Sequence, residues 1–325
     1  MTQPRHRIAV LLPCYNEAAT IAQVVSDFRA ALPQATIYVG DNNSTDDSIA
    51  LARAAGAVVI SESQKGKGNV VRRLFADVEA DIYIMADADA TYDAAIAPQL
   101  VATLLEHRLD LVNARRVTDA QAAYRPGHRF GNLLLSRTVA GIFGDRIEDM
   151  LSGYKAFSKR FVKSFPALTT GFEIETEILV HALELRMPLR EVETRYSERP
   201  PGSFSKLSTY KDGALILLTI TKLLRAERPL LFFSAIFAVL AAAALGVGIP
   251  VVLEFLETGL VPRLPTAVLA TGLSVLAFMS LMCGVILDLL THARREIKRL
   301  HYLALPAIAA PEAQPVAAAT DTPGA

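Results

Sequence analysis

Two long stretches in the C-terminal third of the chain contain no charged residue, and they limit what this region can fold into. The first runs from Pro229 to Leu253 and the second from Leu264 to Leu287. Each exceeds the roughly 20 residues that a helix needs to cross the hydrocarbon core of a bilayer. Buried core helices are the alternative, but two such runs joined by a short loop favour a transmembrane hairpin over 229–291, with helices at about 229–253 and 264–288.

The charges beside these stretches predict how the hairpin is oriented. Basic residues flank its two outer ends: Lys222, Arg225, Arg228, Arg294, Arg295, Lys298 and Arg299. The connecting loop has only one basic residue, Arg263, together with Glu254 and Glu257. Cytoplasmic flanks are enriched in Lys and Arg, so both ends should face the cytoplasm. Polar residues Met1–Arg7 show no signal-peptide pattern. We therefore expect a two-pass protein of the cell (inner) membrane, with both termini and the region before the hairpin in the cytoplasm.

Composition adds little beyond the membrane argument. The hairpin accounts for much of the mean hydropathy of +0.32, which is high for a purely soluble enzyme. A net charge of +0 gives no reason to expect a nucleic acid partner; the basic residues cluster where they would meet membrane lipids. Cys14 and Cys283 are too far apart in the predicted organisation to suggest a disulfide or a metal site. Two helices are compatible with a homo-oligomer without specifying one.

Short apolar runs alternate with helical patterns over residues 8–115. The predicted strands are Ile8–Pro13, Thr36–Asp41, Val58–Ile60, Ile82–Ala86 and Leu109–Ala114. The predicted helices are Ala18–Ala31, Asp46–Ala55, Asn69–Glu79 and Ala94–His107. Such alternation predicts an α/β fold, with a Rossmann-like, mainly parallel sheet flanked by helices.

Polar residues follow the carboxyl ends of these strands, where ligands bind in such folds. They are Asn16 and Glu17, Asp41, Asp87 and Asp89, and Arg115 after the fifth strand. Two carboxylates separated by one residue, at the end of a buried strand, suit Mg²⁺ or Mn²⁺ bound to phosphate oxygens. A solvated loop is the alternative for Asp87 and Asp89 alone, but convergence of these groups on one sheet edge favours a ligand site.

Two common nucleotide-binding loops are absent. The turn after the first strand, Pro13–Glu17, contains no glycine, so it lacks the dinucleotide fingerprint, and no Walker-type loop occurs. The segment Lys65-Gly66-Lys67-Gly68 offers backbone amides and lysine charge to a diphosphate. An ordinary glycine turn is the alternative for that segment.

Taken together, the motifs resemble an inverting family 2 glycosyltransferase of the GT-A fold. The similar branch contains dolichyl-phosphate mannose synthases and bacterial polyprenyl-phosphate glycosyltransferases. The matching segments are Pro13–Glu17, Asp41–Asp46, Lys65–Gly68, Asp87–Asp89, Asp149–Tyr154, Gly171–Glu175 and Glu198–Leu207. The resemblance implies a cytoplasmic GT-A domain over 1–205. The mixture of apolar and basic residues over 206–228 predicts an amphipathic juxtamembrane helix before the hairpin. After the hairpin, residues 292–325 are expected to form a basic segment with a disordered tail rich in Ala and Pro.

The resemblance also implies a donor site for a UDP- or GDP-linked sugar. Its residues would be Pro13, Tyr15, Asn16, Glu17, Asp41, Lys65, Lys67, Asp87, Ala88 and Asp89. Asp87 and Asp89 would hold Mg²⁺ or Mn²⁺, with Asp89 favoured as the direct ligand. Thr91 stands where related enzymes often carry Gln, which leaves a third ligand open. The chain has no Trp, so it lacks the Gln-x-x-Arg-Trp element of processive synthases, and a single transfer is favoured.

The implied acceptor is a polyprenyl phosphate, whose second pKa of about 6 leaves it largely ionised at neutral pH. Such an acceptor needs cationic partners more than a base, and arginine suits phosphate oxygens. The candidates are Arg115, Arg129 and Arg199, with Ser205 and Lys206. We expect Asp89, Asp149 and Arg199 to be catalytic. Asp149 is either a base or an orienting group, with orientation favoured, and a helix cap is its structural alternative.

One helical segment, Gly171–Leu185, carries further acids. Either Glu173 or Glu175 is expected near the acceptor, and the sequence does not decide which. Glu177 and His181 lie at i and i+4, but two residues without a third ligand favour a structural pair over a metal site.

The predicted reaction is inverting, metal-assisted displacement of a nucleoside diphosphate from a hexosyl or related sugar by polyprenyl phosphate. The alternatives are transfer to another lipid, such as a diacylglycerol or ceramide, and a catalytically silent membrane adaptor that keeps the fold.

Overall fold

The computed structural model describes residues 6–117, 136–141, 143–144, 147–171, 173–197 and 221–308. They form two compact units. The first unit contains a sheet, and the second contains two long helices near the C-terminal end together with residues of the 136–148 segment.

The sheet of the first unit has seven strands in the order β3-β2-β1-β4-β6-β5-β7. The strands are β1 Ile8–Cys14, β2 Thr36–Asp41, β3 Val58–Ser61, β4 Ile82–Met85, β5 Leu111–Val117, β6 Lys155–Ser158 and β7 Leu189–Arg195. All pairs are parallel except those of β6, which runs antiparallel to both β4 and β5. The sheet is thus mainly parallel, as predicted, and the antiparallel β6 had not been predicted.

Six helices accompany the sheet in the described part of this unit. They are α1 Ile21–Ala31, α2 Ser48–Ala54, α3 Lys67–Asp77, α4 Ala97–Glu106, α5 Lys159–Ser164 and α6 Ile174–Leu185. The first helix shows how they pack, because Ile21, Val24, Val25 and Phe28 recur at helical spacing and are all buried. Buried helix faces of this kind pack with the wholly buried β4 to form the hydrophobic core of the first unit.

The predicted strand bounds hold within one residue for the first four strands, and the fifth is shifted. It begins at Leu111 rather than Leu109, because the Leu109 amide donates a hydrogen bond to the carbonyl of Leu104 and so closes the turn after α4. It continues to Val117, because β7 pairs with it in parallel along its whole length. Arg115 therefore lies within β5 and not after it, which corrects the sequence-based placement.

The second unit contains α7, Pro229–Thr258, and α8, Leu264–Leu303. Both are long and apolar enough to cross a membrane, which suggests membrane association. Each extends beyond its predicted apolar stretch, and α8 continues through most of the basic segment predicted after the hairpin. Residues 221–227 are helical, whereas 206–220 of the predicted juxtamembrane helix and 309–325 of the predicted tail lie outside the described residues.

Small and polar residues bring α7 and α8 together. A Cβ added to Gly284 would stand 2.9 Å from Cβ of Phe233, so glycine permits close approach of the two backbones. Four residues earlier, Ser280 donates its hydroxyl proton to the carbonyl of Phe233 at 3.1 Å. Beside the start of α7, the buried Glu227 accepts hydrogen bonds from Arg294 at 3.1 Å and Arg295 at 2.9 Å.

Candidate active site

The Asp87–Asp89 loop follows β4 and is fixed by hydrogen bonds on both sides. Asp89 is only 3% exposed and accepts the hydroxyl proton of Thr91 at 2.6 Å. The hydroxyl of Thr20, before α1, donates to the carbonyl of Ala88 at 2.7 Å. Ala90 has a left-handed φ of 57°, which turns the chain immediately after the second carboxylate. The chain therefore turns immediately after Asp89, and Thr91 supports the Asp89 carboxylate.

Asp87 belongs to a buried ion cluster with Lys67 and Glu175. The ammonium of Lys67 lies 2.5 Å from Oδ1 of Asp87 and also contacts the carboxylate of Glu175. Burial alone would lower the pKa of Lys67, but the two carboxylates outweigh it and raise that pKa, so the lysine is charged. Of the predicted lysines, Lys65 is exposed whereas Lys67 is committed to this cluster.

The start of α3, which carries Lys67, is held against the segment before α6. The amide of Gly68 donates to the carbonyl of Thr170 at 3.0 Å, and the amide of Gly66 donates to Oδ1 of Asn42 at 2.7 Å. Gly66 has a φ of +127°, and a Cβ on it would stand 2.1 Å from the Thr170 oxygen. Only glycine fits there, so the glycines of this segment serve close backbone packing.

The loops after β1 and β2 interlock at the predicted nucleotide side. Asn16 accepts the Thr45 amide proton through Oδ1 at 2.8 Å, and its own amide donates to Oγ of Ser44 at 3.0 Å. Asp41 accepts the Ser44 amide proton at 3.1 Å. Tyr15 is 37% exposed, Glu17 is buried, and Pro13 lies inside β1. The structure thus brings the predicted Asn16 and Asp41 onto one pair of joined loops.

Asp149 forms a bidentate ion pair with Arg116. Nε and Nη2 of Arg116 lie 2.7 Å from Oδ2 and Oδ1 of Asp149, respectively, and the Arg116 amide also donates to Oδ2 at 3.1 Å. Burial would raise the pKa of Asp149, but the hydrogen bonds and charge of Arg116 hold it below its usual range. This environment disfavours a base role for Asp149 and favours an orienting one.

Strand alternation decides which arginine faces Asp149. Arg115 and Arg116 are neighbours on β5, so their side chains point to opposite faces. Arg115 pairs with Glu193, its register partner on β7. The sequence argument selected Arg115 and missed Arg116. If the end of β5 had been known, the alternation of side chains along the strand would have shown that the two arginines lie on opposite faces. Arg129, Arg199, Ser205 and Lys206 lie outside the described residues.

Aromatic residues connect the Arg116–Asp149 pair to Asp87. The guanidinium of Arg116 lies over the ring of Tyr196, 5.3 Å from its centroid. That ring meets Tyr92 edge-on at 5.3 Å, and the Tyr92 hydroxyl accepts the Gly153 amide proton at 2.7 Å. Gly153 in turn lies against the Asp87 carboxylate. A continuous set of contacts therefore joins the predicted metal carboxylate to the predicted orienting acid.

A buried lysine, Lys155, is linked to Asp149 through Asn113. Lys155 has no exposed surface and donates to Oδ1 of Asn113 at 2.6 Å and to the carbonyl of Ser152 at 2.7 Å. Asn113 donates to the carbonyl of Asp149 at 2.9 Å and to Glu191 at 2.8 Å. Burial lowers the pKa of Lys155 to about 8. Neither Lys155 nor Asn113 stood out in the sequence, because their partners are distant along the chain.

The acids of the α6 region have separate roles. Glu175 joins Lys67 and Asp87, whereas Glu173 immediately precedes the helix. Glu177 accepts the amide protons of Leu168 and Thr169, each at 2.8 Å. The ring of His181 lies edge-on to Phe161 at 5.6 Å. Glu177 is thus bonded to the segment before α6, and His181 packs against an aromatic ring.

The chemistry of Asp87 and Asp89 fits a divalent cation that shares its ligands with a substrate. Mg²⁺ and Mn²⁺ accept one or two carboxylates together with phosphate oxygens and water. No cluster of three or more His, Cys, Asp or Glu side chains arranged for a metal occurs among the described residues. Two carboxylates at a strand end suit a shared site better than an all-protein cage.

Comparison with solved structures defines the class of protein. Glucosyl-3-phosphoglycerate synthase from Mycobacterium tuberculosis, solved with Mn²⁺, UDP-glucose and phosphoglyceric acid, matches with a TM-score of 0.55 and 25% identity. The match covers 68% of this chain and 79% of that chain. The fold defines a glycosyltransferase of the GT-A fold, followed by two long apolar helices, as predicted.

Sequence comparison gives the family. Residues 9–164 match the profile described as Glycosyl transferase family 2. The chain is 33% identical over 298 residues to glycosyltransferase AglJ of Haloferax volcanii, covering 91% of this chain and 98% of AglJ. It therefore belongs to glycosyl transferase family 2, which confirms the predicted family. It is also 25% identical over 221 residues to a dolichyl-phosphate hexose transferase of the same organism, covering 68% of this chain and 95% of that protein.

Proposed function

We propose that this glycosyltransferase transfers a hexosyl or related sugar from a UDP- or GDP-linked donor to polyprenyl phosphate at the cytoplasmic face of the cell membrane. The observation that carries the proposal is the contact path that joins the Asp87–Asp89 loop to the Arg116–Asp149 pair. A carboxylate pair for a metal-bound diphosphate and a cationic group for a second anion are what such a reaction needs. A relative named for dolichyl phosphate and hexose transfer supports the acceptor class.

On the donor side, Asp87 and Asp89 would hold Mg²⁺ or Mn²⁺ against the diphosphate. When bound, the cation supplies stabilisation of the negative charge that develops on the departing nucleoside diphosphate. Solved relatives contain Mn²⁺ with UDP-glucose. The interlocked loops around Asn16 and Asp41 form the side for the base and ribose, together with Pro13, Tyr15 and Glu17. The exposed Lys65 is available to the diphosphate.

On the acceptor side, the phosphate attacks the anomeric carbon through an oxygen that is already ionised near neutral pH. The new bond forms between this oxygen and the anomeric carbon while the bond to the diphosphate breaks, and the nucleoside diphosphate leaves with the electron pair. Direct displacement inverts the anomeric configuration. Asp149 orients the guanidinium of Arg116 through its two hydrogen bonds. The predicted phosphate site is completed by Arg129, Arg199, Ser205 and Lys206.

The two apolar helices would anchor the enzyme in the membrane that contains its lipid acceptor. Their basic outer flanks favour a cytoplasmic location for both ends. A polyprenyl chain cannot leave the bilayer, so an anchored enzyme meets its phosphate headgroup at a raised effective concentration. This reasoning supports a two-pass topology with the GT-A domain cytoplasmic.

The test is transfer of radiolabelled sugar from a panel of UDP- and GDP-sugars to undecaprenyl phosphate, with purified full-length protein in detergent. The proposal predicts label in the organic phase that EDTA prevents and mild acid releases, as expected of a glycosyl phosphate. Absence of label with every donor, despite nucleotide binding, would contradict it.

Another lipid acceptor is the second candidate, and it makes a different product. A hydroxyl acceptor such as diacylglycerol or ceramide requires a general base, and the lowered pKa of Asp149 beside Arg116 disfavours that role. Labelled lipid that survives mild acid, formed with diacylglycerol or ceramide and not with undecaprenyl phosphate, would favour this alternative.

A further inference from the structure

Lys67 places a protein cation at the predicted metal site. Its ammonium lies 2.5 Å from Oδ1 of Asp87, and it also contacts Glu175. The side chains of Lys67 and Glu175 are only 10% and 7% exposed, whereas that of Asp87 is 29% exposed. The inner end of the cluster is therefore closed, and the outer carboxylate is the one that a solvent ion can reach.

The backbone of Lys67 is fixed, and its side chain has two carboxylates within reach. A Cβ on Gly66 or Gly68 would stand 2.1 Å from a carbonyl oxygen of the Thr169–Thr170 segment, so the loop packs directly on that backbone. The same segment leads into α6, which carries Glu175. The distance between the Lys67 backbone and Glu175 is thus held by main-chain contacts, and the ammonium contacts both carboxylates.

We propose that Lys67 is a resident counter-ion of the metal site, which balances Asp87 in the absence of a divalent cation and retains Glu175 as its partner when the cation binds. The inference rests on the proposed function, because that function assigns Asp87 and Asp89 to the metal. It makes Lys67 and Glu175 positioning residues. The sequence had suggested that Lys67 contacts the nucleotide. In this proposal its main partners are Asp87 and Glu175 instead.

Electrostatics gives the exchange its direction. A divalent cation on Asp87 and an ammonium on the same carboxylate repel each other at short range. A buried charge without a partner is costly, so the ammonium needs a second carboxylate when it leaves the first. Glu175 meets that need. The resident cation lowers the affinity of the carboxylate pair for a metal alone, and a diphosphate adds negative charge that restores it.

The experiment measures Mn²⁺ binding to the full-length protein in detergent, without donor, from the electron paramagnetic resonance signal of free Mn²⁺. Lys67→Met should bind Mn²⁺ about tenfold more tightly, because a competing cation is gone. Glu175→Gln should bind it about tenfold more weakly, because Lys67 then depends on Asp87 alone. The double variant Lys67→Met with Glu175→Gln should keep the tighter binding without a buried unpaired carboxylate. Arg73→Met, an exposed site on the same helix, is the charge-matched control and should bind as the wild type does.

Opposite shifts in two folded variants distinguish a counter-ion from a merely structural ion pair, which would weaken binding in both. Thermal unfolding of each variant establishes that it is folded. Unchanged or weaker Mn²⁺ binding in folded Lys67→Met and in the double variant would overturn the inference and leave the proposed function intact. Failure of the wild type to bind Mn²⁺, even with a nucleotide sugar, would overturn the metal assignment itself.

Discussion

Gly153 lies directly against the carboxylate of Asp87. A Cβ on Gly153 would stand 2.4 Å from Oδ2 and 2.9 Å from Cγ of Asp87. The amide of Gly153 donates a hydrogen bond to the Tyr92 hydroxyl at 2.7 Å, which holds the backbone in place. The absence of a side chain at residue 153 is therefore part of what sets the position of the predicted metal carboxylate.

Gly153→Ala should weaken Mn²⁺ binding by about 10- to 100-fold, the usual effect of disturbing the support of a metal ligand. The methyl group must displace Asp87, since the contact is too short to be accommodated. Titration of Mn²⁺ in the presence of the nucleotide sugar measures the effect. Gly246→Ala is the matched control, because a Cβ there meets nothing within 4 Å. Wild-type affinity in Gly153→Ala would show that Asp87 is not a metal ligand.

Arg116→Lys should lower kcat/KM for the lipid acceptor by about 10- to 100-fold. Lysine cannot reproduce the two parallel bonds to Asp149, and charged hydrogen bonds contribute about 1.5–3 kcal/mol each. Steady-state kinetics with varied acceptor measures the loss. Arg115→Lys, at the neighbouring position on the other face of β5, should cost less than about threefold, because Arg115 pairs with an exposed Glu193.

Asp149→Asn separates orientation from base catalysis. If Asp149 orients Arg116, the variant should lose activity by a similar factor at every pH between 6 and 8. The pKa of Asp149 lies below its usual range, so the carboxylate does not titrate in this window. A loss that shrank about tenfold per pH unit, because hydroxide replaces a missing general base, would identify a base and contradict the orienting role.

The buried Lys155 should make stability depend on alkaline pH. Its pKa is about 8 in the folded protein, against an ordinary value of 10.5, so the unfolded chain binds the proton more tightly. The resulting penalty on folding is fully present below pH 8, decreases as pH rises, and is absent above pH 10.5. The melting temperature of the wild type relative to Lys155→Met should therefore be constant below pH 8 and rise above it.

Lys159→Met provides the comparison for that measurement, because Lys159 has a 41% exposed side chain and pairs with Glu79. The effect of burial at Lys155 is the part of the rise above pH 8 that is seen against Lys155→Met and not against this exposed-site variant. Parallel pH profiles for the wild type, Lys155→Met and Lys159→Met would contradict the assignment of a depressed pKa to Lys155.

Much of the sheet was predictable because its signal is local. Apolar runs such as Ile82–Met85 are recognised from their own residues, and the acids that follow them lie at the carboxyl ends wherever the strands are parallel. Asp87, Asp89, Asn16 and Asp41 were assigned to the strand ends in this way, and they lie there. Long apolar helices are equally local, since their length and lack of charge do not depend on the remainder of the chain.

The unpredicted features depend on distant partners. The end of β5 is set by pairing with β7, more than 70 residues later. This pairing determines that Arg115 meets Glu193 and that Arg116 meets Asp149. Lys67 meets Glu175 at a separation of 108 residues. Lys155 meets Asn113 at a separation of 42. Sequence patterns report which face of an element is apolar, but they do not report which polar groups will be buried together.

The approach of the two long helices should depend on Gly284. Gly284→Leu forces a side chain into Phe233, and overpacking of this kind costs about 1–3 kcal/mol, so thermal unfolding in detergent should occur at a lower temperature. Gly272→Leu is the control on the same helix, because a Cβ at Gly272 meets nothing within 4 Å. Equal melting temperatures for the two variants would contradict close packing of α7 on α8.

The decisive measurement is sugar transfer to undecaprenyl phosphate by Asp89→Asn beside the wild type and Asp93→Asn, using whichever donor labels the lipid. Asp93 is the matched control, because it is exposed and caps a helical turn, a role that Asn retains. We expect Asp93→Asn to match the wild type, and Asp89→Asn to lose at least about 100-fold in rate while remaining folded and membrane-bound. Wild-type transfer by folded Asp89→Asn would show that the Asp87–Asp89 loop is not the site of metal-assisted transfer.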